Sequence, residues 1–230
     1  MGFCHRPMRA KDVREAVKAT AAHPFLAARY GSRLADLERV WLGLLRLDAS
    51  VCFILEETRG ANLRIAGVGI ATFVLDEFVR ELKTPPLRWI GPEAVDRIVQ
   101  GRSPVLSDRE VREANSTTGL NVAVWQSAMR VEEFTAELAN EATTSFHESL
   151  GGFLMRETVT QADCFDTWAV LRNMCQHLGL RFVNAVNGSY GEYPEDWDMT
   201  QPHLLGITRN WRSTRPAHGR ALFSSIGRRE

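Results

Sequence analysis

Between Gly119 and Val186 the sequence alternates strand and helix patterns over short connections, and few architectures tolerate that order. Gly119 to Gln126 holds Leu-Asn-Val-Ala-Val-Trp, a β-rich apolar run. Val131, Phe134, Leu138, Ala142, Phe146 and Leu150 then recur at helical spacing, and Gly151-Gly152 closes the helix. Phe153 to Thr160 reads as the next strand. Asp163 opens a helix carrying Phe165, Trp168, Leu171, Cys175 and Leu178, which stops at Gly179. Leu180 to Val186 is a further strand. Strands joined through helices by short links are expected to lie parallel as neighbours, connected by right-handed crossovers.

The first half has a different rhythm. Phe3 to Arg9 alternates loosely and reads as a short edge strand, where Pro7 is tolerated. Asp12 with Glu15 has capping-box spacing, ahead of Val13, Ala16, Val17 and Ala21 on one helical face. Ser32 is the expected cap of a second helix bearing Leu34, Leu37, Trp41 and Leu44. Val51–Glu57 and Ile65–Leu75 flank a polar turn and predict an antiparallel hairpin. Gly67 and Gly69 inside its second strand imply a bulge or a close approach. Residues 76–118 break that rhythm with Pro85-Pro86, Gly91-Pro92 and Gly101 to Pro104, and predict an insertion with short helices of its own. The expected organisation is one α/β domain over 1–205 containing that insertion, then an arginine-rich, poorly ordered tail over 206–230.

Composition narrows the partners. Lysine plus arginine and aspartate plus glutamate both number 28, so the formal charge is zero. No global field attracts nucleic acid or an anionic membrane, although Arg209, Arg212, Arg215, Arg220, Arg228 and Arg229 concentrate positive charge in the tail. No run of 18 apolar residues predicts a membrane span, and Met1 to Ala10 lacks the apolar core of a secretory signal. Cys4, Cys52, Cys164 and Cys175 form no CxxC pair, and the first two and the last are expected to act as small hydrophobes. A cytoplasmic location is the expectation. The partner is an unknown small molecule or protein, with a homodimer compatible and no membrane.

Motifs for chemistry are sparse. His147-Glu148 is not a zinc pair, because Gly151 stands where the second histidine belongs, and no metal is expected. Asn187-Gly188-Ser189-Tyr190-Gly191 falls short of a nucleophile elbow, since Pro194 denies it the following helix. Tyr190, Tyr193 and Trp197 interleave with Glu192, Glu195, Asp196 and Asp198, a pattern suited to a cationic ligand or partner surface.

The order of elements, with Arg6-Pro7-Met8-Arg9-Ala10-Lys11-Asp12 entering a helix and Gly67-Val68-Gly69-Ile70 in a paired strand, resembles the GNAT acyltransferase superfamily over residues 3–186. That resemblance implies a mixed β-sheet flanked by helices. It also implies a coenzyme A pyrophosphate turn, Gln/Arg-x-x-Gly-x-Gly/Ala, whose backbone amides at a helix N-terminus hold the phosphates. In this chain Gln126 matches the first position, while Met129 and Val131 replace small residues and Glu132-Glu133 adds negative charge. The expectation is a non-catalytic ligand-binding or regulatory domain with no cofactor and no catalytic residue carried over by motif. The alternatives are an N-acyltransferase binding acetyl-coenzyme A through Gln126, Ala128, Arg130 and Val131, and a nucleic-acid-associated protein acting through the tail.

Overall fold

The computed structural model describes residues 2–59, 62–129, 136–162, 168–169, 171–172, 175, 181–184 and 202–212. Its elements run β1 (Gly2–Pro7), α1 (Ala10–Ala22), α2 (Pro24–Tyr30), a 3-10 turn (Gly31–Arg33), α3 (Leu34–Leu44), β2 (Ser50–Arg59) and β3 (Asn62–Val74). The insertion supplies α4 (Asp76–Leu82), α5 (Ile90–Val99) and α6 (Asp108–Ser116). Then come β4 (Leu120–Met129), α7 (Ala136–Ser149), β5 (Leu154–Ala162), β6 (Arg181–Asn184) and β7 (His203–Arg212).

The strands form one mixed sheet in the order β1-β2-β3-β4-β5-β7-β6. β4 and β5 are parallel, and the other neighbouring pairs are antiparallel. Alternate side chains of the central strands bury on opposite faces, which is why β2 and β3 read as nearly continuous apolar runs. On one face Ile54, Val68, Ile70, Val74, Ala123, Trp125 and Val159 pack under α1 to α5. On the other, Phe53, Leu55, Phe73, Val122 and Met155 meet Ala142 and Leu150, with Phe146 edge-on to Phe53 at 4.6 Å.

Several expectations are met. The hairpin is present, and an extra residue, Ala66, sits beside Gly67, since Leu55 pairs with Gly67 and Glu56 with Ile65. Gly69 is a close approach: a Cβ there would lie 2.1 Å from the Phe53 ring. The short helices expected within 76–118 are there, and Ser107 and Glu110 form the capping box of one of them, α6. The insertion is helical and packed.

Others are corrected. The second strand-helix-strand unit does not place its strands side by side, because β7 enters between β5 and β6 and runs antiparallel to both. The first seven residues of the expected tail, 206–212, are therefore strand, and residues 213–230 lie outside the described residues. Asp12 is the third residue of α1, not its cap; its carboxylate accepts from the Arg9 N–H at 2.8 Å. Ser32 caps nothing, as a 3-10 turn carries the chain from α2 into α3. Cys4 is exposed, whereas Cys175 is buried, and burial pushes the Cys52 thiol up to about 12.

Candidate functional site

The only parallel pair in the sheet, among the described residues, comes apart. β4 and β5 are paired from Leu120–Met155 to Ala123–Val159 and no further. β4 continues six residues beyond that point and β5 three. The cause lies in β4, where Ala71 faces Val124 and Ile70 faces Gln126, leaving Trp125 as an extra residue. A bulge bends its strand, so β4 stays with β3 while β5 stays with β7 and the two diverge. A crevice at the carboxyl ends of parallel strands is where α/β sheets generally bind ligands.

Trp125 turns into the α1–α5 face, 6% exposed, and its indole N–H donates to Thr72 Oγ1 at 2.8 Å. On that same face the first turn of α5 covers the opening. The Ile90 N–H donates to Gln161 Oε1 at 2.8 Å, and Gln161 Nε2 donates to the Arg88 carbonyl at 2.7 Å. Gln161 lies on β5 just past the last paired residue, so its amide ties the insertion to one lip of the gap. Gly91 touches the other lip: a Cβ there would lie 3.1 Å from the Trp125 carbonyl oxygen and 2.1 Å from the Tyr30 hydroxyl. Tyr30 is fully buried, its hydroxyl has no acceptor among the described residues, and burial holds it well above the ordinary tyrosine range.

α5 is part of the core and not a loose flap. Ile90, Ala94 and Val95 are completely buried. Arg33 pairs with Asp96 at 2.5 Å, Arg97 with Glu81 and Glu93, and the Arg29 guanidinium stacks over Trp89 at 3.7 Å.

The residues expected to form a site are placed unevenly. Gln126 and Ala128 are not in a turn but in β4, opposite Ile70 and Val68. Arg130 and Val131 lie outside the described residues, as do Tyr190, Tyr193 and Trp197 and the near-elbow around Ser189. Between Met129, the last residue of β4, and Ala136, the first of α7, the sequence reads Arg-Val-Glu-Glu-Phe-Thr, which contains no glycine and lies outside the described residues. Sequence reasoning missed Trp125, Gln161, Gly91 and Tyr30. The Gly91-Pro92 break was visible, but Trp125 and Tyr30, which Gly91 meets, are 34 and 61 residues away, and Gln161 is 71 from Ile90. Among the described residues no group of three or more histidines, cysteines or carboxylates is arranged to hold a metal, and no helix is long and apolar enough to cross a membrane.

This strand order, with one splayed parallel pair at its centre and a bulge in β4, is a mixed α/β sheet flanked by helices, the architecture that the resemblance to the GNAT superfamily implies. Solved structures similar to it are acetyltransferases. One from Corynebacterium glutamicum, described as histone acetyltransferase HPA2 and related acetyltransferase, is 12% identical, with 93% of this chain and 100% of that one covered at a TM-score of 0.49. A GNAT-family acetyltransferase from Streptococcus pneumoniae is 15% identical, with 90% and 99% covered at 0.44. An aminoglycoside acetyltransferase, AAC(6')-Ib in complex with coenzyme A and kanamycin, is 10% identical, with 90% and 95% covered at 0.43. At these values the likeness carries no argument about this chain, whose fold is read from its own strand order. No protein-family model and no curated protein matches the sequence.

Proposed function

We propose that this domain binds a ligand or a partner without transferring an acyl group. One observation carries the reading: the first turn of α5 closes the β4–β5 gap on the α1–α5 face, through Ile90, Gly91 and Gln161. Direct transfer between two substrates needs both at one point, and a slot closed on one face offers a single entrance. Clearing it would expose Ile90, Ala94 and Val95, which belong to the core.

Coenzyme A fits the described residues poorly. The Gln161 amide is committed to Ile90 and Arg88, and the Trp125 carbonyl is crowded by Gly91. In sequence, residues 130–135 hold no glycine to let phosphates approach bare amides and carry two glutamates that repel them. Isothermal titration with acetyl-coenzyme A, joined to a thiol-release assay over a panel of amines, tests the reading. The expected outcome is neither heat nor thiol, and micromolar binding with turnover overturns it.

A second reading is favoured by the diverging edges themselves. Val124 to Met129 and Thr160 to Ala162 do not pair with each other, and an extended acyl carrier could lie between them. In that case Gln126, Ala128, Arg130 and Val131 are the cofactor-binding candidates and the domain is an N-acyltransferase. Binding accompanied by thiol release would select it.

A further inference from the structure

Between β1 and α7 stands an imidazole whose two nitrogens both face carboxylates. His5 Nδ1 lies 2.5 Å from Glu141 Oε1, and Nε2 lies 3.1 Å from Glu148 Oε2. Glu141 and Glu148 are seven residues apart, two turns along one face of α7, so the ring spans the space between them. The three side chains are 24%, 27% and 19% exposed, sheltered enough for hydrogen-bond geometry to matter.

A neutral imidazole carries one N–H, and its other nitrogen is a lone-pair acceptor. Whichever tautomer forms, one carboxylate then faces a lone pair at hydrogen-bonding distance. Only the imidazolium donates at both ends. We propose that His5 is a proton-dependent fastener: the doubly protonated ring clamps α7 onto β1, and loss of one proton breaks the Glu141 or the Glu148 contact and loosens the helix.

Among the described residues, the cations of β1 and β3 have partners of their own. On β1, Arg6 is engaged by Asp12 of α1 and Glu56 of β2, and on β3 Arg64 is engaged by the buried Glu57. Cys4 adds no cation; burial first, then Glu56 and Glu141, hold its thiol above the ordinary range. Loosening α7 also has reach, because α7 packs over Phe53 of β2 through Phe146.

Amide hydrogen exchange on the full chain tests the fastener, comparing α7 with β2–β3 as internal reference between about pH 5 and about pH 8. The wild-type helix is expected to lose about tenfold in protection at the upper end, after correction for intrinsic exchange, while the reference holds. His5→Gln should remove the step. Glu148→Gln should shrink it, because a side-chain amide can donate to the neutral ring where a carboxylate cannot. Unchanged α7 protection in the wild type across this range, or a full step surviving in both variants, overturns the proposal.

Discussion

Gly91 is the residue on which the closed gap turns. Its backbone sits where any side chain would run into the Tyr30 hydroxyl at 2.1 Å and the Trp125 carbonyl at 3.1 Å. Gly91→Ala is expected to cost about 1–3 kcal/mol by overpacking, read as a lower urea midpoint. Tyr30→Phe should behave oppositely. It deletes a buried hydroxyl that finds no acceptor among the described residues, so stability should hold or rise by up to about 1 kcal/mol. A marked loss in Tyr30→Phe would mean the hydroxyl does have a partner. Asp12 yields a pH test. The Arg6 guanidinium, its strongest influence, holds the Asp12 carboxyl below the usual carboxylate range, with the Arg9 N–H helping against burial. A depressed group stabilises the fold above its unfolded value of about 3.9, and that contribution is lost as pH falls through the folded value. Asp12→Ala should therefore cost about 1–3 kcal/mol at neutral pH, and the gap to wild type should narrow only below about pH 4. Urea titrations at several pH values would show it.

At the scale of elements, Gln161 ties α5 to β5, while Lys83 with Glu157, Asp76 with Asn121 and Asn115 with the Leu154 N–H hold other parts of the insertion to the sheet. Gln161 spends its amide on the Ile90 N–H and the Arg88 carbonyl, which gives α5 a cap its own Trp89 does not supply. Gln161→Ala should cost about 1–3 kcal/mol and raise hydrogen exchange around residues 88–93 before it does so in β2–β3. Equal loosening everywhere would deny this local role. The helices of the first half were legible because their apolar faces are local: Leu37, Trp41 and Leu44 predict α3 and are buried in it. Their starts were less so. Asp12 and Ser32 have the right chemistry for caps, but α1 begins two residues before Asp12 and α3 is entered from a 3-10 turn. Asp12 still serves the helix start, as the third residue whose carboxylate accepts from the Arg9 N–H.

The whole sheet depends on its last described strand. β7 fills the place between β5 and β6, with Leu205 buried beside Trp168, Cys175 and Phe182. A chain ended after Pro202 should leave two bare edges, aggregate, and lose its cooperative unfolding transition. A soluble product with a native-like transition would show that β7 is an accessory. The parallel β4–β5 pair was legible from the strand-helix-strand rhythm, since a helical crossover imposes that direction. The sequence carried no sign that the next crossover would leave a strand's width open, because the residues that fill it come about 20 positions later.

Local patterning determined strands β1 to β6 and helices α1, α3 and α7, that β2 and β3 form a hairpin, that β4 and β5 run together, and that 76–118 is a helical excursion. Periodicity and turn chemistry act over a few residues, and the amino-acid order displays them directly. Tertiary structure alone decided that Trp125 is the bulge, that Gly91 and Gln161 close the gap it opens, that His5 reaches Glu141 and Glu148, and that β7 enters the sheet. Each is a contact between residues far apart in the chain, chosen by the packing of surfaces that exist only once the elements have come together.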